Sequence, residues 1–204
     1  MPATMMHVYA GYLFYPQGDD SFFMGCILPD CVDGNRTLKD HLHFRDVPPE
    51  SRLQELIRFG KRLDLSRPFH LGALLHFYLD YLWDNGPQKA HRMRYEGEDW
   101  FHDYRKELAR AGSETAHRFP WAKPLWERLS NAPRNTMEND LSLPEEDMLS
   151  FLDYNCRWHT EEVLPKAVEF HADLVDSFTR RAVTAYHAFL RDFFPEVTLP
   201  FTKP

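Results

Sequence analysis

The segment FHLGALLHFYLDYLWD, residues 69–84, is too apolar for a helix on a protein surface. Its hydrophobic side chains surround the predicted helix, which indicates a helix buried on all sides. His76 and Asp80 lie four residues apart in it, so their side chains leave the same face one turn apart. A lone charge in an apolar core is costly, so the two must be paired, hydrogen-bonded or metal-bound. The helix alone leaves a purely structural His76–Asp80 hydrogen bond as an equal alternative.

The chain has 204 residues, and its length and patterning predict an all-α, multi-helix bundle in a single domain, 1–204. Sixteen Phe, nine Tyr and five Trp suit a well-packed core. The candidate metal-ligand motifs fall within 5–85, and helices within 98–193 complete the bundle. Periodicity and helix-breaking residues predict loops over 30–46 and 131–143 and helices over 7–15, 22–28, 49–63, 68–84, 98–110, 113–130, 144–155, 159–178 and 180–193.

The net charge of −7 argues against broad binding to duplex nucleic acid. The three cysteines form no CxxC pair, which is typical of reduced thiols. The first residues lack a signal-peptide pattern, and no apolar run reaches membrane-spanning length. We therefore expect a cytoplasmic protein with no membrane span, while its oligomeric state is not readable from the sequence.

Further imidazoles and carboxylates lie upstream of the apolar helix. Asp30 follows Pro29, which restricts the local backbone, although Asp after Pro is also common in turns. His41 and His43 are two residues apart, so their side chains would point to the same side of an extended segment and to different sides of a helix. His7 lies in an aromatic segment where a histidine is often only a core residue.

Together, these histidines and aspartates offer nitrogen and oxygen donor atoms and no sulfur. Such side chains suit zinc, with manganese or iron as alternatives. They can serve one metal, or two close metals if one carboxylate bridges them. The candidate metal ligands are His7, Asp30, His43, His76 and Asp80.

The order of these motifs resembles the zinc-dependent phospholipase C superfamily, which includes the fungal single-strand nucleases. The matching elements are an early His, a Gly-x-x-x-Pro-Asp at residues 25–30, a His-Phe dipeptide at 43–44, and Leu-Gly-x-x-x-His-x-x-x-Asp-x-x-Trp at 71–83. They cover roughly residues 5 to 85 and come closest to a short, intracellular, uncharacterised branch.

The resemblance implies that His43, His76, Asp80 and Asp30 hold one zinc, and that Asp80 also bridges to a second metal bound by His7. Two departures reduce the expected site to one or two metals. Secreted members use an N-terminal tryptophan amine, whereas Pro2 follows Met1 here. Members also hold a third zinc partly through a downstream HxxxE, and no histidine after Asp80 has Glu four residues later.

The expected activity is hydrolysis of a small phosphodiester or phosphomonoester by metal-activated water. Asp30 is the candidate catalytic residue, because a carboxylate beside the metal can hold or deprotonate that water. The aromatic side chains Tyr9, Tyr12, Tyr78 and Trp83 either line a pocket or simply pack in the core.

Two alternatives remain at this point. The dipeptide His102-Asp103 resembles the signature of the HD phosphohydrolases, with His76 before it and Asp147 or Asp153 after it. The chain can instead be a non-enzymatic metal-binding or scaffold protein with a reduced site.

Overall fold

The computed structural model describes residues 2–32, 35–94, 99–133, 141 and 143–199. Helices dominate these residues and no strand occurs among them, so the all-α prediction is confirmed. Two 3₁₀ turns, Leu28–Asp30 and Pro49–Ser51, link helices. The helices are α1 (Thr4–Phe14), α2 (Asp20–Ile27), α3 (Arg36–Leu42), α4 (Arg52–Gly60), α5 (Pro68–Asn85), α6 (Pro87–Arg92), α7 (Trp100–Arg118), α8 (Ala122–Ser130), α9 (Glu145–Glu161) and α10 (Ala172–Phe193).

The apolar helix of the sequence is α5, which lies at the centre of the bundle. It contacts α1, α2, α4, α6 and α10, and 13 of its 18 residues are buried. Pro68 occupies its first turn, where a missing N–H costs nothing. Gly86 follows its last residue, as the sequence predicted.

Two glycines allow α2 and α5 to approach backbone to backbone. A Cβ atom at Gly25 would lie 2.0 Å from the carbonyl oxygen of Phe69, and one at Gly72 would lie 2.1 Å from that of Phe22. No side chain larger than hydrogen fits at either position. This close contact places Asp30, which lies in the turn after α2, near the middle of α5.

The region 30–46 is more ordered than its composition predicts. It includes the 3₁₀ turn at Asp30 and the helix α3, so the predicted loop is wrong over residues 36–42. Asn35 caps α3, since its side-chain oxygen accepts a hydrogen bond from the Leu38 N–H at 3.0 Å. The short helix turns His43 towards the core and leaves His41 exposed.

The C-terminal helices differ from the prediction in their boundaries. α7 continues through Gly112 to Arg118, because this glycine packs closely against Ala3 rather than ending the helix. The predicted helix 159–178 is wrong over residues 162–171, which are not helical; residues 159–161 end α9, and α10 begins at Ala172. Pro165 lies within this segment and disfavours a helix there.

Other predictions fall on residues outside the described ranges, namely most of the connection 131–143 and the start of the helix at 98. Within the described ranges, no helix has both the length and the apolar character needed to cross a bilayer.

Candidate metal centre

The structure brings the five predicted ligands together. His7 comes from α1, Asp30 from the 3₁₀ turn, His43 from the end of α3, and His76 and Asp80 from α5. All five side chains are buried, with exposed fractions of 1 to 5%. We refer to these five residues as the histidine–aspartate cluster.

Backbone carbonyls determine which nitrogen of two histidines faces the cluster. Nδ1 of His76 lies 2.8 Å from the carbonyl oxygen of Cys26, and Nδ1 of His43 lies 2.8 Å from that of Lys39. A carbonyl oxygen can only accept a hydrogen bond, so each Nδ1 carries the proton. Each ring therefore turns its Nε2 towards the cluster, which is the arrangement that orients metal-binding histidines in proteins.

The two Nε2 atoms face each other, with that of His43 3.2 Å from that of His76. Burial lowers the pKa of His76 to about 3, helped by the neighbouring His7, so this ring is neutral near pH 7. Its Nε2 therefore carries a lone pair, which is the form of imidazole that binds a metal ion.

The carboxylates approach the same imidazoles. Nε2 of His43 lies 3.4 Å from Oδ1 of Asp30 and 3.3 Å from Oδ2 of Asp80. The other oxygen of Asp80, Oδ1, lies 3.3 Å from Nε2 of His7. Four donors around a zinc ion with bonds of 2.0–2.1 Å would be about 3.3–3.4 Å apart, so these spacings match a metal-binding set.

Five side-chain polar atoms of the cluster are buried without a hydrogen bond within the described structure: both nitrogens of His7, Oδ1 of Asp30 and both oxygens of Asp80. Ion pairs at 3.2–3.3 Å reach four of these five atoms. Buried polar atoms usually complete their hydrogen bonds as well. Nitrogens and oxygens that converge in this way are able to hold a metal ion.

Two cations border the cluster. Nζ of Lys39 lies 3.2 Å from Oδ1 of Asp30, and Nη2 of Arg45 lies 3.6 Å from Oδ2 of Asp80. Together they match the two carboxylates in charge, so charge balance by itself does not require a metal. The convergence of imidazole nitrogens and carboxylate oxygens on one place is the stronger indication.

The surrounding positive groups keep both aspartates ionised. Burial alone would raise the pKa of Asp30, but Lys39 and His43 outweigh it and hold the pKa well below its usual range. Burial likewise opposes ionisation of Asp80, and His7 and His43 hold its pKa far below the ordinary value. Ionised carboxylates are the form that binds metals.

The five residues form two overlapping groups that can each hold a metal ion. One contains His7, His76 and Asp80, and the other contains Asp30, His43 and His76. These two groups share His76, whose ring stacks on that of His7 with centroids 3.9 Å apart. The predicted bridge was Asp80; its two oxygens do face different histidines, and its bridging role stays a prediction.

Other predicted residues lie elsewhere. His102 and Asp103 are exposed on α7, and neither belongs to the metal-binding groups found among the described residues. Trp83 is fully buried and donates a hydrogen bond to the hydroxyl of Tyr104 at 2.8 Å. It packs in the core, as one of the two interpretations proposed.

Sequence reasoning missed the two neighbouring cations. Lys39 lies four residues before His43, which is the helical spacing that would have placed both beside Asp30. The predicted loop over this region hid that relation. For Arg45 no local pattern gave a signal, since its partners Asp80 and Asp84 lie far along the chain.

Comparison of the chain with protein-family models, curated proteins and solved structures found no match. Functional inference therefore depends on the site itself.

Proposed function

We propose that this protein is a metal-dependent hydrolase that cleaves a phosphate ester with metal-activated water. The observation that carries the proposal is the pair of imidazole Nε2 atoms of His43 and His76, 3.2 Å apart with their Nδ1 protons committed to carbonyls. The motif order that resembles the zinc-dependent phospholipase C superfamily supports the same chemistry.

The donor set fits a metal. Imidazole nitrogens and carboxylate oxygens without sulfur suit zinc best, and manganese or iron next. One or two ions would be held by His7, Asp30, His43, His76 and Asp80. When bound, such an ion lowers the pKa of a coordinated water towards about 7 and offsets charge that develops on the phosphoryl group.

Asp30 is the carboxylate best placed to orient the attacking water. It remains ionised, so it accepts hydrogen bonds, and Lys39 holds it in place at 3.2 Å. Its lowered pKa makes it a weak base, because an effective general base has a pKa near the working pH. We therefore assign Asp30 to binding and positioning water more than to removing its proton.

Metal content and hydrolysis test this proposal together. Purified protein is analysed for zinc, manganese and iron by mass spectrometry and assayed on p-nitrophenyl phosphate and bis-p-nitrophenyl phosphate. We expect bound metal and hydrolysis, both lost in His76→Ala. His70→Ala is the matched control, since His70 is buried on the same helix with its Nδ1 3.0 Å from the carbonyl oxygen of Asp64.

The outcomes separate the alternatives. Wild-type protein that binds no metal contradicts the proposal, and metal without turnover indicates a structural metal site in a scaffold protein. Loss of metal in His102→Ala or Asp103→Ala, with retention in His43→Ala, would favour the HD phosphohydrolase alternative.

A further inference from the structure

A cavity of about 220 Å³ adjoins the histidine–aspartate cluster. Its walls come from the chain before and at the start of α1, and from α3, α7 and α9, and Asp30 is the cluster residue that lines it. A larger cavity of about 540 Å³, between α7 and α10, contains none of the five cluster residues. Of these two cavities, the smaller one therefore reaches the candidate metal centre, at Asp30.

His159 lines this cavity from the last turn of α9. It is 3% exposed, and neither ring nitrogen has a hydrogen bond within the described structure. The ring is held firmly, because it stacks on Trp126 with centroids 4.9 Å apart and meets Trp158 edge to face at 4.6 Å. A rigid, buried imidazole with two unsatisfied nitrogens indicates a missing polar partner.

The chemistry of His159 restricts that partner. Burial lowers its pKa to about 3, so the ring is neutral near pH 7 and has one N–H donor and one acceptor nitrogen. A neutral donor in a closed environment suits the oxygen of an anion whose charge is balanced elsewhere in the cavity.

The other lining residues supply that balance and limit the size of the ligand. Lys39 and Arg105 contribute positive charge and Asp30, which pairs with Lys39, contributes negative charge, so these side chains leave one net positive charge on the wall. Trp158 contributes an apolar wall. Drug-sized ligands occupy about 300–1,000 Å³, so a cavity of about 220 Å³ fits a smaller molecule.

We propose that the cavity binds a small phosphate ester and that His159 donates a hydrogen bond to one of its phosphate oxygens. This inference rests on the proposed function, and it adds a recognition residue outside the metal ligands. His159 is a positioning residue for the ester, held by its two tryptophan neighbours.

Two substitutions separate hydrogen bonding from packing. His159→Phe retains an aromatic ring between the tryptophans and removes both nitrogens, whereas His159→Gln retains an N–H donor and removes the ring. Zinc content, melting temperature and the affinity of zinc-loaded protein for inorganic phosphate are measured at pH 7, the last by calorimetry.

We expect His159→Phe to keep its zinc and melting temperature and to bind phosphate about tenfold more weakly. His159→Gln should melt at a lower temperature and keep more of its phosphate affinity. His117→Phe is the control, because His117 lines the larger cavity, and we expect it to bind phosphate like the wild type.

Unchanged phosphate affinity in His159→Phe, with zinc still bound, would overturn this inference and leave the proposed function intact. Absence of zinc from the wild type would instead overturn the proposed function and this inference with it. Tighter binding of a ten-nucleotide oligothymidylate than of p-nitrophenyl phosphate would overturn the small-ester assignment.

Discussion

Two polar clusters of this protein have similar composition but differ in how completely their buried imidazoles are hydrogen-bonded. In the second, which we call the Glu169 cluster, Glu169 pairs with His91 and Arg94. Nδ1 of His91 lies 2.6 Å from Glu169, and its Nε2 lies 3.4 Å from the carbonyl oxygen of Trp100. Both nitrogens of this fully buried imidazole thus have partners.

The histidine–aspartate cluster differs because five of its buried atoms make no hydrogen bond within the described structure. Both clusters contain imidazole, carboxylate and a cation, so composition does not distinguish them. The comparison shows that the Glu169 cluster completes its own hydrogen bonds, whereas the histidine–aspartate cluster leaves donor and acceptor atoms that could hold a metal ion.

The largest expected effect is on metal binding. Asp80→Ala removes both oxygens that face His7 and His43, and we expect zinc affinity to fall by more than about 100-fold. Zinc at a thousandfold excess over the wild-type Kd should stabilise the wild type by about 4 kcal/mol and, after a loss of about 100-fold in affinity, the variant by only about 1.4 kcal/mol, measured as the zinc-dependent shift in Tm.

Asp84→Ala is the control for this substitution. Asp84 lies one turn further along α5 and pairs with Arg45 and Arg52, and it belongs to neither metal-binding group. Equal loss of zinc in both variants would show that the aspartates act by stabilising the fold. It would contradict the distinction drawn between the two clusters.

A substitution in the Glu169 cluster should change the stability of the fold and leave zinc affinity unchanged. His91→Ala leaves a partly buried carboxylate with one partner fewer, and we expect a loss of about 2–3 kcal/mol in the free energy of unfolding. Urea denaturation of metal-free protein measures it, and zinc affinity should stay the same. A change in zinc affinity would mean that the two clusters are coupled.

A smaller effect on the free energy of unfolding is expected at the contact between the segment 162–171 and α7. Oε2 of Glu107 accepts hydrogen bonds from the N–H groups of Val168 and Glu169, at 2.8 and 2.6 Å. Burial opposes ionisation, but these N–H groups and Arg110 lower the pKa of Glu107 below its ordinary value of 4.5.

The ionised Glu107 therefore stabilises the fold above about pH 4.5, and this contribution is lost as the pH falls through the lowered pKa. We expect Glu107→Gln to cost about 1 kcal/mol at pH 7 and less at pH 3.5, measured by urea denaturation at both values. A difference in unfolding free energy between the wild type and Glu107→Gln that is larger at pH 3.5 than at pH 7 would contradict this assignment.

The smallest expected effect is on zinc affinity, and it tests the role of a cation beside the candidate metal centre. Lys39→Met removes a positive charge 3.2 Å from Asp30, and we expect zinc affinity to rise about threefold because a cation near the metal opposes binding. Competition with a chelator measures this change. A fall in zinc affinity would mean that Lys39 supports the ligand geometry instead.

Much of the fold was predictable because its signals are local. The apolar segment 69–84 predicted α5, and Pro68 and Gly86 marked its ends. The prediction failed where long-range packing overrides local signals, as at Gly112, which continues α7 because it contacts Ala3.

The candidate site shows the same division. Spacing along one helix placed His76 beside Asp80, and residue type marked His7, Asp30 and His43 as candidates. The sequence left His159 as one of several C-terminal residues able to approach the site and did not single it out, since the wall it forms is shared with residues more than a hundred positions away, such as Lys39.

The sequence by itself determined the helical class and the chemical type of the site, because helical periodicity and side-chain chemistry are local properties. Only the tertiary structure decided that the Nε2 atoms of His43 and His76 converge. His76 is oriented by the carbonyl of Cys26, 50 residues away, and that carbonyl is within reach because Gly25 and Gly72 let two backbones touch. Such a contact depends on how the helices pack, which no spacing along the chain records.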